Sequence, residues 1–402
     1  MGLAGYKRSV MSSLRRACLG LLLALALLAV LEGGARLLRS SPAARDGMEW
    51  MEPSAELGWR NRPGFRGAVF QTERAFNEQG LLTLDSRAVT AEGRRGKRLI
   101  LLLGDSRTFG NGVPVWETYG EILDRRLPGF EVINLAVAGH TSFQGRAALE
   151  IYVPRFRPDV IVFAYGFNDR RYVLHPDEVD SELRFRRFAR RSRLDRLAGS
   201  LALAGLLKRG LRAEPESFEE RSLDLATVFP RVSPDDFRRN LEAVARYCAV
   251  RGVRLVFLLL NDHPVASGDL ARGVRRLHEG RRAPAERRLR AAVSRNNEFS
   301  DAARRYLAHL YERTGRGRKA AAVRISPRTL RSVTGGFPII ADTEYRGITL
   351  QVAARLAVPV VDAGSAIDRH PDWYLDFCHF GGEGHHTVAD LLAAELARTG
   401  SH

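Results

Sequence analysis

Cysteine is scarce in this chain, which has three cysteines among 402 residues. They are Cys18, Cys248 and Cys378, and their odd number argues against a disulfide-rich scaffold. Metal-ligand spacing is also missing among the histidines, since the adjacent pair His385 and His386 would face apart on a helix. We therefore predict no metal site and no cofactor.

Lysine is equally scarce, so the positive charge of the chain is almost entirely arginine. Lysine and arginine together number 63 against 46 acidic residues, a net charge of +17, with lysine only at positions 7, 97, 208 and 319. Two explanations stay open, an anionic partner or the codon bias of a GC-rich genome. The sequence lacks Gly-rich phosphate loops, zinc-finger spacing and basic-aromatic signatures, and we predict no nucleic-acid partner.

Long apolar runs are limited to one, from Ala17 to Leu31, which follows Arg15 and Arg16. A helix of this length spans about 22 Å, less than the ~30 Å hydrocarbon core of a membrane. The length also fits a signal peptide, but residues 32–36 make a poor cleavage site. We predict an uncleaved, single-pass signal anchor with its linker over residues 1–45. It would leave the rest of the chain outside the cytoplasmic membrane, periplasmic or at the cell surface.

Two short segments far apart in the chain carry groups that work together in acyl transfer. Gly104-Asp105-Ser106 follows an apolar run, and Asp376-Phe377-Cys378-His379 comes much later. A strand that ends in a tight turn presents its hydroxyl at the carboxyl edge of a sheet, where open α/β folds place their sites. A serine becomes a nucleophile when an imidazole takes its proton and a carboxylate orients that imidazole. These segments therefore indicate a serine acyl-transfer enzyme.

Two further segments between them supply candidate hydrogen-bond donors. The strand-like run 131–135 leads to Gly139, and the strand-like run 158–165 leads to Gly166-Phe167-Asn168-Asp169. A tetrahedral oxyanion needs several donors aimed at one point, and a glycine backbone N–H with an asparagine amide can provide them.

In this order and at these strand ends, the four segments resemble the SGNH (GDSL-type) hydrolase superfamily, membrane-anchored bacterial type. The resemblance implies that Ser106 is the nucleophile, His379 the general base and Asp376 the group that orients it. It also implies an oxyanion hole made by the N–H groups of Gly139 and Ser106 and the side-chain amide of Asn168.

Arg107 departs from this pattern, because the family usually has an apolar or aromatic residue after the serine. Two interpretations of Arg107 stay open at this point. Next to the nucleophile it would bind substrate and favour an anionic glycan, or it would form a surface ion pair.

The remaining pattern, strands alternating with helices, predicts a parallel sheet covered on both sides. The resemblance implies a three-layer α/β/α fold with a parallel, flavodoxin-like sheet, in a hydrolase domain over residues 98–400. Strands are expected near 98–103, 131–135, 159–165, 253–260 and 358–362, with a helix that begins after Ser233 at Pro234. A β-rich lead-in over residues 46–97 precedes the sheet.

Two stretches exceed what the sheet requires. Residues 170–225 are arginine-rich and predict either a helix that covers the core or a basic helix on an anionic membrane surface, of which we favour the cover helix. Residues 267–325 resemble tetratricopeptide repeats, with small and large residues alternating across paired helices. We expect this insert to bind a protein partner or to shape the substrate groove.

Taken together, the sequence predicts a serine esterase that removes O-acyl groups, acetyl in particular, from an envelope or secreted polysaccharide. Three alternatives stay open. They are a polysaccharide O-acetyltransferase with the same triad, a lipase or lysophospholipase, and a non-catalytic scaffold of a glycan-export assembly.

Overall fold

The computed structural model describes residues 16, 18–23, 26–34, 49–82, 96–173, 179–199, 229–262, 266–294, 298–323, 342–376 and 378–398. The chain divides into two compact units, one of residues 1–49 and 188–217 and one of residues 50–187 and 218–402. In the first unit, described residues between 16 and 34 are helical. Among the described residues, no helix combines the length and apolarity needed to cross a membrane. Parts of the predicted anchor, residues 1–15 and 35–45, lie outside the described residues.

Strands and helices of the second unit are numbered here in chain order. The strands are β1 Met51–Ser54, β2 Gly58–Asn61, β3 Arg66–Val69, β4 Thr72–Ala75, β5 Arg98–Gly104, β6 Phe130–Asn134, β7 Val160–Ala164, β8 Tyr172–Val173, β9 Phe229–Pro230, β10 Arg254–Leu259 and β11 Val360–Asp362. The helices are α1 Ser106–Phe109, α2 Tyr119–Arg126, α3 Ser142–Phe156, α4 Glu182–Gly199 (which continues into the first unit), α5 Pro234–Val250, α6 Ala266–His278, α7 Arg282–Ser294, α8 Glu298–Arg313, α9 Gly317–Val323, α10 Asp342–Leu356, α11 Ala363–Ile367 and α12 Gly382–Ala397. Short 3-10 turns occur at Val115–Glu117 and Pro371–Trp373.

The main sheet is parallel, with the strand order β11-β10-β7-β5-β6. Numbered one to five along the chain, its strands lie in the order 2-1-3-4-5, which is the flavodoxin-like order. The strand order reverses between β5 and β7, and open α/β sheets bind ligands beyond the carboxyl ends of the strands at that point. The predicted parallel, flavodoxin-like sheet is confirmed.

Residues of β5 alternate between two buried layers. Leu99, Leu101 and Leu103 pack with residues of α3, α5 and α10, whereas Ile100 and Leu102 pack with residues of α2 and α12. Successive side chains of a strand point to opposite faces, so a run that is apolar throughout must be buried on both. This arrangement confirms the predicted three-layer α/β/α architecture.

Helix α5 begins where its sequence predicts. The Ser233 hydroxyl accepts a hydrogen bond from the Asp236 N–H at 3.1 Å, and Pro234 occupies the first helical position. Phe237 and Leu241 then bury one face of the helix against the sheet. The helix thus closes one side of the central core.

The lead-in contains two antiparallel hairpins, β1 with β2 and β3 with β4. Its apolar residues do not form a core by themselves. Phe76 and Val69 share a buried cluster with Phe109 of α1 and with Ala136 and Ala138, which follow β6. The lead-in is therefore packed directly against two of the segments that carry the predicted site.

Helices α6 to α9 form a helical insert with its own apolar core. This cluster consists of Leu270, Val274, Leu289, Ala292, Ala303, Leu307, Tyr311 and Ala320. A Cβ at Gly273 would lie 2.8 Å from the Leu289 side chain, so α6 and α7 approach closely there. Gly280 and Gly315 turn the chain between helices with φ near +70°. The likeness to tetratricopeptide repeats remains a prediction.

The described part of the arginine-rich stretch 170–225 is mainly α4. Phe185 on this helix is buried, with its ring centroid 5.7 Å from that of Phe143 and 6.4 Å from that of Trp59. Leu183 is exposed. The burial of Phe185 fits the cover-helix interpretation, while residues 174–178 and 200–228 lie outside the described residues.

Candidate active site

Ser106, His379 and Asp376 form one hydrogen-bonded chain, although 273 residues separate the serine from the histidine. The Ser106 Oγ lies 2.8 Å from His379 Nε2, and His379 Nδ1 lies 2.6 Å from Asp376 Oδ2. With Nδ1–H donating to the carboxylate, Nε2 accepts the hydrogen of the serine hydroxyl. This is the geometry in which an imidazole can take the proton of a serine.

The turn that carries Ser106 is held by the preceding aspartate. Asp105 caps α1, because its Oδ1 accepts a hydrogen bond from the Arg107 N–H at 3.0 Å. The helix lasts only one turn and ends at Gly110, whose φ of +84° is the left-handed conformation that glycine adopts without strain. The strand β5 and this short helix thus place the Ser106 hydroxyl at the carboxyl edge of the sheet.

The carboxylate of Asp376 is held by the chain that follows it. Its Oδ1 accepts hydrogen bonds from the N–H groups of Cys378 and His379, both at 2.8 Å. Burial raises the pKa of Asp376, but the hydrogen bonds and charge of His379 outweigh it and leave that pKa below the ordinary value. Asp376 is therefore ionised when it orients His379.

Two backbone N–H groups near Ser106 and His379 have no acceptor among the residues that the structure describes. Within the described residues, neither the Ser106 N–H nor the Gly139 N–H donates to a protein acceptor. Orphaned N–H groups are uncommon in folded proteins, and Ser106 is only 8% exposed. Both groups are thus available to a substrate oxygen.

Asn168 is buried at the end of β7 and is tied to the neighbouring loop. One hydrogen of its side-chain amide is donated to the His140 carbonyl at 3.0 Å, which leaves the second hydrogen of the same group. Because β5 lies between β6 and β7, Ser106 sits between the loops that carry Gly139 and Asn168. The structure therefore brings all five predicted catalytic and oxyanion residues to one edge of the sheet.

Arg107 does not face a substrate, and its predicted role in substrate binding is corrected. Its Nη2 donates to Asp105 Oδ2 at 3.0 Å, its Nη1 donates to the Leu260 carbonyl at 2.7 Å, and its side chain is 2% exposed. Burial lowers the pKa of Arg107, but the Asp105 charge raises it, and the net pKa lies above the ordinary value. Arg107 instead forms an ion pair with Asp105, as in the second interpretation, but this pair is buried rather than at the surface.

Cys378 lies beside His379 but does not have the environment of a nucleophile. Burial raises the pKa of its thiol well above the ordinary value, so the reactive thiolate is suppressed. Among the described residues, Asp376, Cys378 and His379 are also the group whose ligand atoms lie within 4.8 Å of one another. The aspartate and histidine atoms of that group already hydrogen-bond to each other and to Ser106, and the buried thiol resists deprotonation.

Sequence reasoning missed several residues that hold the loop 136–140. Trp59 Nε1 donates to the Ala138 carbonyl at 3.0 Å, and Arg231 Nη1 donates to the Gly139 carbonyl at 2.7 Å. Arg231 is in turn paired with the buried Asp180 at 2.8 Å. Trp59 stands in the β-rich lead-in that the sequence predicts, but no sequence signal marked Arg231 or Asp180.

Asp169, directly after Asn168, accepts hydrogen bonds from residues on both sides of the Asn168 loop. Its Oδ1 accepts hydrogen bonds from the N–H of Ser142 at 2.9 Å and from its hydroxyl at 2.5 Å. Its Oδ2 accepts one from the Gly166 N–H at 3.0 Å. Asp169 thereby ties the loop of Asn168 to the start of α3.

Comparison with protein families agrees with this arrangement. The model of a GDSL-like lipase/acylhydrolase family matches residues 102–387, the greater part of the chain. None of the curated proteins compared with this sequence matches it.

Several solved structures are similar to the chain at low sequence identity. A lipase/acylhydrolase from Enterococcus faecalis is 16% identical, with a TM-score of 0.37 over 74% of this chain and 95% of its own. The psychrotrophic esterase EstA from Pseudoalteromonas sp. is 11% identical, with a TM-score of 0.37 over 75% and 98%. LAE5, an α/β hydrolase enzyme from the metagenome of Lake Arreo, is 14% identical, with a TM-score of 0.37 over 76% and 97%.

Proposed function

Because the chain belongs to the GDSL-like lipase/acylhydrolase family and is therefore an ester-hydrolysing enzyme, we propose that it works through an acyl-serine intermediate on Ser106. The observation that carries this proposal is the continuous hydrogen-bonded chain from Ser106 Oγ through His379 to Asp376, with separations of 2.8 and 2.6 Å. A serine joined in this way to an imidazole and a carboxylate is activated as a nucleophile.

In the first step the Ser106 oxygen attacks the ester carbonyl carbon while His379 Nε2 takes the hydroxyl proton. The carbonyl oxygen becomes an oxyanion, which the N–H groups of Ser106 and Gly139 and the amide of Asn168 stabilise. His379 then gives its proton to the departing alcohol, and the acyl group stays on Ser106. Asp376 remains ionised throughout and holds the imidazolium.

In the second step His379 takes a proton from water, and the resulting hydroxide attacks the acyl-serine. The oxyanion forms again in the same site and collapses to release the acid, while His379 returns its proton to Ser106. An acceptor alcohol in place of water would give acyl transfer by the same residues. The product distinguishes hydrolysis from acyl transfer, because the same triad would perform both.

The substrate class we propose is an O-acylated polysaccharide of the cell envelope or a secreted polysaccharide, with acetyl as the acyl group. An anionic chain would find a suitable surface on the insert. A groove of about 390 Å³ between α6 and α7 is lined mainly by Arg272, Arg276, Arg281, Arg287 and Arg288.

Four of these five guanidinium groups pair with two carboxylates. Asp269 pairs with Arg272 and Arg288 at 3.1 and 3.0 Å, and Glu279 pairs with Arg276 and Arg281. The remaining positive charge would attract carboxylate or phosphate groups of a glycan. The insert also leaves the sheet after Leu259 of β10, at the carboxyl edge that carries Ser106.

We further propose that the enzyme works outside the cytoplasmic membrane, held by its N-terminal segment. The apolar run from Ala17 to Leu31, preceded by Arg15 and Arg16, supports this location. Protease added to spheroplasts should then degrade the catalytic region. Protection of that region until the cells are lysed would contradict the proposed location.

The experiment that tests the mechanism compares the full-length protein with its Ser106→Ala variant on a short-chain acyl ester. Hydrolysis should disappear in Ser106→Ala and persist in Ser294→Ala, which removes a hydroxyl from the insert. Hydrolysis that survives in a folded Ser106→Ala protein would overturn the assignment of Ser106.

A second assay tests the substrate class with acetylated and deacetylated polysaccharide. The acetyl groups of the first polysaccharide carry an isotopic label. Release of labelled acetate supports esterase action, and labelled acetyl groups on the added deacetylated polysaccharide indicate transfer. Hydrolysis restricted to long acyl chains would replace the glycan proposal by the lipase alternative.

A further inference from the structure

The peptide that carries the Gly139 N–H is fixed from its carbonyl side. The indole N–H of Trp59 donates to the Ala138 carbonyl at 3.0 Å. Because a trans peptide is planar, its carbonyl and its N–H point in opposite directions. A donor that holds the Ala138 carbonyl on one side therefore directs the Gly139 N–H to the other side, where it has no acceptor among the described residues.

The indole ring also covers Gly139 itself. A Cβ at this position would lie 3.3 Å from Trp59 Cζ2, and Gly139 has a φ of +82°. Both observations show that the chain at residue 139 is shaped to lie against the ring. A bulkier residue with an ordinary φ would move the peptide that Trp59 holds.

The ring of Trp59 is held in turn by contacts on other sides. The Arg231 guanidinium lies 5.5 Å from its centroid, and the His140 ring meets it edge-on at 5.4 Å. The His140 Nε2–H donates to the Trp59 carbonyl at 2.9 Å. Trp59 is thus tied through both its backbone and its side chain to the loop that follows β6.

Trp59 stands on β2, in the lead-in that precedes the matched residues 102–387. We propose that Trp59 is a positioning residue for the oxyanion hole, which aims the Gly139 N–H by holding the Ala138 carbonyl. The lead-in is then a working part of the active site and not only an appended hairpin. This inference rests on the proposed acyl-serine mechanism, in which Gly139 supplies an oxyanion donor.

Trp59→Phe tests the proposal, because it keeps an aromatic ring and removes the N–H. We expect kcat/KM on a short-chain acyl ester to fall by about 10- to 100-fold, less than the ~10²–10³-fold typical when an oxyanion donor is lost outright. The inhibition constant of an alkyl boronic acid, whose tetrahedral adduct with serine places an oxygen in the oxyanion hole, should rise by a similar factor. A merely structural role would lower the melting temperature without this parallel change.

Two control variants distinguish orientation of the Gly139 N–H from mere attachment of the hairpin to the loop. Asn61→Ala removes a bond from the same hairpin to the Ala136 carbonyl, 3.2 Å long, which does not belong to the peptide of Gly139. It should change kcat/KM by less than about threefold, and a loss equal to that of Trp59→Phe would overturn the proposal. Trp116→Phe, at a tryptophan that is 59% exposed, should behave like the unmodified protein.

A second substitution keeps the test decisive if Trp59→Phe loses stability. Replacing Trp59 by β-(3-benzothienyl)alanine exchanges the N–H for sulfur in a ring of nearly the same shape. The same fall in kcat/KM supports the proposal, and unchanged activity overturns it. Ser106→Ala is assayed in parallel, so that failure of the serine mechanism is distinguished from failure of the role given to Trp59.

Discussion

The proposed active site has two halves that are assembled in different ways. The nucleophile half consists of the proposed triad Ser106, His379 and Asp376, and the oxyanion half consists of the proposed donors, which are the N–H groups of Ser106 and Gly139 and the amide of Asn168. In the nucleophile half, Asp376 lies three residues from His379 and accepts three hydrogen bonds from within that turn. The side chain of Asp105 caps the turn of the adjacent Ser106.

The oxyanion half is held almost entirely by distant side chains. The carbonyls of residues 138, 139 and 140 accept hydrogen bonds from Trp59, Arg231 and Asn168, which lie 79, 92 and 28 residues away. The nucleophile half is therefore held mainly by hydrogen bonds between residues that are close in sequence. The direction of the oxyanion donors depends instead on the packing of the lead-in and of the loop around Arg231.

Asp376→Asn should have the largest effect on the nucleophile half. The amide can donate to His379 Nδ1 and would then hold the imidazole in the wrong tautomer, at a cost of about 10⁴-fold in kcat. The Asn oxygen still accepts the N–H groups of Cys378 and His379, so the fold should remain. The measurement is kcat from steady-state kinetics. The control is Asp372→Asn, which changes an exposed carboxylate nearby. A loss below about tenfold would contradict the role of Asp376.

Asn168→Ala probes the oxyanion half and should cost about 2.7–4 kcal/mol of transition-state stabilisation, or about 10²–10³-fold in kcat. Asn240→Ala is the matched control, because it also removes a buried amide, which donates to Ser142 at 3.0 Å. The control should lower the melting temperature without a comparable loss of rate. If the two variants lost rate equally, Asn168 would be a structural residue only.

The smallest predicted effect is on the pH dependence of stability and comes from two buried histidines. His385 lies near the nucleophile half, and His140 follows Gly139 of the oxyanion half. Burial lowers the pKa of His385 to about 3 and that of His140 to about 4. The His385 Nδ1 accepts the Tyr119 N–H at 3.2 Å, which requires an unprotonated nitrogen. As the pH falls below the ordinary histidine pKa of 6.5, the unfolded chain takes up protons that the folded chain does not, so stability decreases.

Each histidine should therefore remove about 2 kcal/mol of unfolding free energy between pH 6.5 and about pH 4.5. His385→Asn keeps an acceptor for the Tyr119 N–H and should abolish roughly half of this acid sensitivity. Urea denaturation at several pH values measures the change. An unaltered pH dependence in the variant would show that His385 takes up its proton at the same pH in the folded and the unfolded chain.

Much of the fold could be predicted because strands and helices leave periodic patterns. The continuous apolar run Leu99–Leu103 required burial on both faces, and Ser233 with Pro234 marked the start of α5. The predicted strand boundaries agree with β5, β6, β7, β10 and β11 to within about two residues at every end. Arg107 shows where this reasoning stops, since a charged residue after the nucleophile gave no sign that its guanidinium would be buried against Asp105.

The sequence by itself determined the order of the strands along the chain and the groups that we propose to react. These follow from short segments, because a strand end, a capped turn and an Asp-x-x-His turn are built from neighbouring residues. Only the tertiary structure decided which side chains hold the loop of Gly139. Hydrogen bonds such as that from Trp59 to the Ala138 carbonyl join residues whose separation in sequence carries no periodic signal, and they exist only once the hairpin and the sheet have packed together.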